Sequence, residues 1–229
     1  MPTIGNLVKI SFVDWENNIT SVIFIKGCNL RCEFCHNHEI LCDDNVSTPS
    51  IQEVKSFLET RNHDIEGIVI SGGEPLMNAS IIPFITEIKN LTNLPIKIDT
   101  NGCYPETLNE LINDKLIDYI AMDIKAPLKH YKKVCGVSVD TEKISKSIKL
   151  IMNCGIDYEF RTTLTPVFHD EKSIIAMAKL IAGAKVWYFQ RISPHQSLQE
   201  NFPKLRFTNT RLDYFINISK KYVEKVLVR

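Results

Sequence analysis

No stretch of this chain is apolar for long enough to cross a membrane, and its opening, Met1-Pro2-Thr3-Ile4-Gly5, lacks the charged region and apolar core of a secretory signal. A cytoplasmic location is the expectation. Net charge is equally lacking. Lys plus Arg and Asp plus Glu both number 27, so no global field gathers nucleic acid or an anionic membrane, although a local basic patch stays open. Neither nucleic acid nor membrane is expected as a partner. Internal repeats, low-complexity segments and linker-like stretches are missing too. One domain over residues 1–229 is therefore expected, with a core at about 20–192 and an extension at about 193–229. Pairing patterns of cysteine are also wanting. There are seven, an odd number, and Cys42, Cys103, Cys135 and Cys154 are scattered with no further C-x2-C or C-x3-C, so a disulfide framework is not expected. These four read as small core or surface residues.

What the chain does have is concentrated in Gly27-Cys28-Asn29-Leu30-Arg31-Cys32-Glu33-Phe34-Cys35-His36-Asn37, where three cysteines stand at C-x3-C-x2-C spacing just after an apolar run. That spacing turns three sulfurs to one side of a tight loop, where one metal centre can gather them as thiolates. No fourth thiol is supplied locally. A four-iron cluster used only for electron transfer is normally held by four cysteines. Three leave one iron open to a substrate or cofactor, by the logic that separates catalytic from structural zinc sites. Two other readings of the loop stand beside this one: a redox C-x-x-C at Cys32-Glu33-Phe34-Cys35, and a zinc knuckle completed by His36 or His38.

Around the loop, β-rich runs alternate with amphipathic ones. Val8–Val13 and Ser21–Ile25 flank the polar turn Glu16-Asn17-Asn18 and read as a hairpin that delivers Cys28. Ser50-Ile51-Gln52-Glu53 is a capping box ahead of Ile51, Val54 and Leu58 at helical spacing. Further strands are expected at 67–71, 95–99, 119–122, 158–164 and 186–191. Between them, helices run through Ile81, Ile85 and Ile88, through Leu108, Leu111 and Ile112, through Ile144, Ile148 and Ile151, and from Asp170 to about Ile181. A last helix uses Leu212 and Phe215 and extends toward Tyr222. Pro83 is tolerable only in a first turn, and Pro105 starts its helix.

Six βα units in succession imply an α/β fold, a partial (β/α)6 TIM-like barrel with an N-terminal β-hairpin extension. In such folds the site lies at the C-terminal ends of the strands. There the sequence places Cys28, Ser71-Gly72-Gly73-Glu74-Pro75, Asp99-Thr100-Asn101-Gly102 and Asp123-Ile124-Lys125. The paired glycines allow close backbone approach to a ligand, and Glu74 offers an acceptor suited to an amino group. An ordinary strand-to-helix turn and a structural ion pair at Asp123 and Lys125 are the plainer alternatives.

Together and in this order, these motifs resemble the radical S-adenosylmethionine enzymes, specifically the glycyl-radical-enzyme activases. The cysteine loop with Phe34 before its third thiol is similar to that family's cluster motif. Gly72-Gly73-Glu74-Pro75, Asp99-Thr100-Asn101-Gly102 and Asp123-Ile124-Lys125 are similar to its cofactor motifs. The likeness spans roughly residues 7–200, and Lys9–Asp14, Ser21–Phe24 and Arg161-Thr162-Thr163 most resemble the activating proteins of anaerobic ribonucleoside-triphosphate reductase. Two places depart from the family pattern: Trp15-Glu16-Asn17 stands where Tyr-Pro-Gly is usual, and Thr165-Pro166-Val167 replaces a proline-glycine turn. The last thirty residues carry no family motif.

The resemblance implies one 4Fe-4S cluster on Cys28, Cys32 and Cys35, with S-adenosylmethionine on the open iron. It implies reductive cleavage to methionine and a 5′-deoxyadenosyl radical, which takes a hydrogen atom from a glycine of a partner enzyme. Phe34, Gly72, Gly73, Glu74, Asp99, Asn101, Asp123, Lys125 and Arg161 are implied as cofactor-binding residues, Asp99 and Asp123 through a monovalent cation or a polar network. Arg161 is expected to face the cofactor carboxylate, and His195 follows the sixth strand without an assigned role. Implied partners are a glycyl radical enzyme, foremost anaerobic ribonucleotide reductase, and a low-potential donor such as flavodoxin or ferredoxin. Little chain is left to cover the barrel mouth, which suits a protein substrate. The rivals are a small-molecule radical enzyme such as a 7-carboxy-7-deazaguanine synthase, and a zinc-stabilised binding module without catalysis.

Overall fold

The computed structural model describes residues 1–38, 48–192, 202, 203 and 205–229. Strands β1 (Ile4–Ser11), β2 (Thr20–Ile25), β3 (Gly67–Gly72), β4 (Ile96–Thr100), β5 (Tyr119–Asp123), β6 (Asp157–Leu164), β7 (Val186–Arg191) and β8 (Lys225–Val228) follow one another in sequence order in one eight-stranded sheet. β1 runs antiparallel to β2, which then pairs parallel with β3, Val22 opposite Val69 and Ile25 opposite Gly72. β3 with β4, β6 with β7 and β7 with β8 are parallel as well. Helices α1 (Ile51–Arg61), α2 (Ile81–Thr92), α3 (Pro105–Asn113), α4 (Tyr131–Cys135), α5 (Thr141–Asn153), α6 (Glu171–Leu180) and α7 (Asn209–Ser219) occupy most of the connections.

Local signals explain most of these boundaries. Ser50 caps α1 and Glu53 closes the reciprocal bond of the capping box. Pro83 is the third residue of α2, where its missing N–H would have had no helical partner. Pro105 opens α3, and Asp140 and Asp170 accept from backbone N–H groups at the starts of α5 and α6. In α5 the buried residues are Ile144, Ser147, Ile148 and Ile151, a stripe at helical spacing. Val22, Ile23, Val69, Ile70, Ile96 and Ile98 are all buried, as strands covered on both faces require.

The structure corrects the expected outline in three places. β1 begins at Ile4 and ends at Ser11, leaving Phe12 and Val13 beyond the strand and exposed. The turn before α5 folds into the short helix α4. α7 stops at Ser219, short of Tyr222, and the chain then returns as the unexpected β8, whose Val226 is buried opposite Trp187. Four residues are too short a run for alternation to be recognised.

Two compact units emerge from the packing. The first comprises Met1–Asn29, Asn37–Thr100 and Tyr104–Ile120; the second comprises Leu30–His36, Asn101–Cys103 and Ala121–Arg229. In the first, Lys97 is buried between Ile96 and Ile98 on β4, donating to the Asp14 carbonyl at 2.5 Å with its ammonium over the Tyr119 ring. In the second, Glu159, also buried, receives both guanidinium arms of Arg229 at 3.0 and 3.1 Å. Arg229 in turn stacks on Tyr188, 3.5 Å from the ring centroid.

Candidate functional site

Within the first unit, the chain leading to Cys28 is clamped to the double-glycine turn. Gly73 N–H donates to the Ile25 carbonyl at 3.0 Å, and Glu74 N–H donates to the Gly27 carbonyl at 2.9 Å. Gly72 has φ +125°, and a Cβ there would stand 2.3 Å from the Ile25 carbonyl oxygen, so only glycine lets the two backbones meet. The far end of the cysteine loop is tied to the same turn, because Asn37 Nδ2 donates to the Gly72 carbonyl at 3.0 Å. The motif read as a cofactor cradle therefore also fixes where the loop leaves and rejoins this unit.

Glu74 is buried, and its Oε1 accepts from the Thr100 hydroxyl at 2.8 Å and from Leu76 N–H at 3.1 Å. These bonds hold the carboxylate in one orientation. Asp99 accepts from the Ser71 hydroxyl at 3.0 Å and lies 3.7 Å from the Lys97 ammonium, so its charge is met by a cation from its own strand.

In the second unit, Cys35 N–H donates to the Cys32 carbonyl at 3.0 Å, closing the tight turn that the C-x2-C spacing implies. Cys32 is buried and its thiol is hydrogen-bonded to that of Cys135, which lowers the Cys32 pKa to about 7 with help from the Lys125 charge and against the effect of burial. The same hydrogen bond and burial push the Cys135 thiol up. Cys135 also accepts from Arg31 N–H through its carbonyl at 2.8 Å. At Gly136, φ +72°, a Cβ would lie 2.4 Å from the Arg31 carbonyl oxygen, so α4 and its glycine seat the middle of the cysteine loop. Phe34 is buried with its ring 6.0 Å from Phe168 and 6.1 Å from Phe202, centroid to centroid. His36 is held below its ordinary pKa, first by burial and then by Lys125.

The strand-end charges of this unit form one network. Asp123 Oδ2 meets Lys125 Nζ at 2.9 Å and Oδ1 meets Arg161 Nε at 3.1 Å. Burial alone would raise the Asp123 pKa, but Arg161 and Lys125 outweigh it and bring it down to about 2. Burial would likewise lower Lys125, and the Asp123 carboxylate reverses that. His169 is buried, accepting from Thr165 N–H at Nδ1 (3.1 Å) and donating from Nε2 to the Lys125 carbonyl (3.0 Å). Burial holds it below the ordinary histidine pKa, which suits this neutral tautomer. Asn101, also buried, accepts from Cys103 N–H at 3.0 Å through Oδ1.

The expected residues thus fall into two groups. Cys28, Gly72, Gly73, Glu74 and Asp99 belong to the first unit, and Cys32, Phe34, Cys35, Asn101, Asp123, Lys125 and Arg161 to the second. The plainer ion-pair reading of Asp123 and Lys125 holds in the geometry, and Arg161 joins it. Cys135, which by sequence reads as a small core or surface residue, pairs with Cys32, and His169, Lys97 and Thr100 join the network without a sequence signal that assigns them to the site. A lysine between Ile96 and Ile98 was a visible anomaly, whereas Cys135 had no spacing partner to mark it. None of the six described cysteines is in a disulfide, and Cys42 and His195 lie outside the described residues.

The donor set fits an iron–sulfur cluster. The fit rests on donor chemistry, three cysteines of one short loop being the ligand type such clusters take; among the described residues no group of three or more His, Cys, Asp or Glu side chains stands placed to hold a metal ion. One of the three loop thiols is already poised to ionise near neutral pH.

Three loop thiols without a fourth are the set that a cluster enzyme keeping one iron for a cofactor would use. The chain belongs to the Radical SAM superfamily, whose model matches residues 22–181. It is 33% identical over 231 residues to a glycyl-radical enzyme activating enzyme of Methanocaldococcus jannaschii, covering 99% of this chain and 95% of that one. To the pyruvate formate-lyase-activating enzyme of Clostridium pasteurianum it is 24% identical over 220 residues, covering 93% and 89%. Among solved structures, SuiB of Streptococcus suis bound to S-adenosylmethionine superposes with a TM-score of 0.66 at 16% identity. That match covers 89% of this chain and 48% of SuiB, so the chain spans about half of that structure and shares its fold. The fold is the α/β partial TIM-like barrel class expected from the alternation, and the protein is a radical S-adenosylmethionine enzyme of the glycyl-radical-activating kind. Its cofactors are a 4Fe-4S cluster and S-adenosylmethionine. No described helix is long and apolar enough to cross a membrane.

Proposed function

We propose that this activase installs its glycyl radical on an anaerobic ribonucleoside-triphosphate reductase, working as one catalytic domain over residues 1–229 in the cytoplasm. The observation that carries the activase reading is the three-thiol loop anchored at both ends by Gly72, Gly73 and Glu74. Supporting the reductase as target are Lys9–Asp14 and Arg161-Thr162-Thr163, which resemble that branch of the activases. Bound together, the cluster and S-adenosylmethionine supply a 5′-deoxyadenosyl radical for hydrogen abstraction.

In this reading Cys28, Cys32 and Cys35 hold the cluster. Glu74, kept in one rotamer by Thr100 and Leu76, accepts from the cofactor's amino group, with Gly72 and Gly73 giving close approach. Arg161 and Lys125, each held by Asp123, position the cofactor carboxylate. Asp99 contributes through its link to Ser71, Asn101 orients the turn after β4, and Phe34 walls the cluster side with Phe168 and Phe202. Electrons come from a flavodoxin or ferredoxin.

The test is electron paramagnetic resonance of the reduced, reconstituted protein mixed with S-adenosylmethionine and the reductase. A doublet should grow on the reductase and collapse when its glycine is deuterated at the α-carbon. A silent reductase, together with turnover of a small pterin by the activase alone, would replace this target with a 7-carboxy-7-deazaguanine synthase activity.

A further inference from the structure

The chain is neutral as a whole, but residues 125–149 hold seven lysines and His130 against only Asp140 and Glu142. Lys129, His130, Lys132 and Lys133 are all exposed, while Tyr131, Val134 and Cys135 of the same short segment are buried. A depression of about 380 Å³, lined by Leu128 together with Thr141, Glu142, Ser145, Lys146 and Lys149, joins this segment to the outer face of α5. The depression thus reaches this segment at Leu128, the chain neighbour of the exposed Lys129. Directly beneath it, Cys135 is hydrogen-bonded to the Cys32 thiol and its carbonyl receives Arg31 N–H at 2.8 Å.

A basic face is by itself compatible with any polyanion. What distinguishes this one is its inner side. One five-residue helix presents lysines to solvent and a thiol to one of the three cysteines of the cluster loop. Nucleic acid would gain nothing from that adjacency, whereas a protein that delivers electrons would gain a route inward through bonded atoms.

We propose that Lys129, Lys132 and Lys133, continued by Lys146 and Lys149, form the docking face for an acidic one-electron carrier protein, and that Cys135 bridges that face to Cys32. The proposal rests on the activase reading and adds where its donor binds. In the step itself, one electron would leave the reduced carrier and be gained by the cluster that the loop cysteines would hold. The carrier is left one electron more oxidised, and no bond is made or broken. Electron-transfer encounters of this kind are small and salt-sensitive, because their specificity is carried by exposed charges.

The experiment compares the wild-type chain with the triple variant Lys129→Glu, Lys132→Glu, Lys133→Glu. Binding of a flavodoxin is measured by calorimetry on the cluster-free protein, and reduction of the cluster by flavodoxin hydroquinone is measured on the loaded protein. Wild-type affinity should fall at least tenfold between low and physiological ionic strength, and the triple variant should lose at least tenfold at low ionic strength. Photoreduction of its cluster by 5-deazaflavin should match wild type, since the substituted side chains are exposed. Cys135→Ala should slow reduction by flavodoxin severalfold without changing its affinity. Equal flavodoxin binding by wild type and triple variant overturns the proposal. So does displacement of flavodoxin from the wild type by equimolar poly-uridylate, which would make the face a nucleic-acid site. Failure of the wild-type cluster to accept electrons even from deazaflavin would instead refute the cluster reading, while the binding isotherms still decide the docking face.

Discussion

Asp123 is the residue whose charge is best defined, because two cations, Lys125 just beyond β5 and Arg161 on β6, converge on one half-buried carboxylate. Its pKa is depressed to about 2, so the stability it adds is fully present above the ordinary aspartate range and is lost as pH falls through about 2. The size of that shift corresponds to about 2 kcal/mol. Asp123→Asn should therefore be less stable at neutral pH and show a flatter dependence between pH 4 and pH 2, read as urea midpoints across that range. Glu74 makes a second residue-scale prediction. If it accepts from the cofactor's amino group, Glu74→Ala should weaken S-adenosylmethionine binding by about 1.5–3 kcal/mol, the worth of a charged hydrogen bond, with the cluster retained. Titration of reconstituted protein checks both halves, and unchanged affinity would return Glu74 to a purely structural tie between Thr100 and Leu76.

At the scale of elements, the least anticipated piece is β8, and it is attached by more than its strand ladder. Arg229 N–H donates to the Phe189 carbonyl at 2.9 Å while its guanidinium neutralises Glu159, which has almost no access to water. Removing the cation would leave a buried carboxylate uncompensated, the situation in which ion-pair loss is most costly. Arg229→Met should destabilise the protein by roughly 3 kcal/mol in chemical denaturation. The double variant Arg229→Met with Glu159→Leu should recover much of that loss. The short helix α4 shows the same dependence on context. Its five residues would not persist alone, but Tyr131, Val134 and Cys135 are buried, and Gly136 lets the turn reach the Arg31 backbone.

For the whole molecule, cofactor binding and folding are one linked equilibrium. S-adenosylmethionine at a hundredfold excess over its Kd should add about 2.7 kcal/mol, a rise in Tm on the order of 5–10 °C for a chain of this size. Cys32→Ala should abolish that rise and carry almost no iron, against about four irons per wild-type chain after anaerobic reconstitution. An iron-bearing Cys32→Ala protein with the full Tm rise would sink the ligand assignment.

Much of this was determined by the sequence alone. Caps at Ser50, Asp140 and Asp170, prolines at helix starts and double-faced apolar strands are local signals, so among the described residues six of the seven helices and seven of the eight strands could be read without tertiary information. The cysteine spacing by itself left iron–sulfur, zinc and redox readings open; the cluster and the cofactor class came from the resemblance of that loop and the strand-end motifs to a known family, a likeness carried by residues close along the chain. The tertiary structure decided what depends on residues far apart. It chose Lys97 as the cation beside Asp99, Arg161 as the second partner of Asp123, and Cys135 as the neighbour of Cys32 across about a hundred residues. It also made a four-residue run a strand, because only pairing with β7 and the burial of Glu159 against Arg229 distinguish Lys225–Val228 from loop.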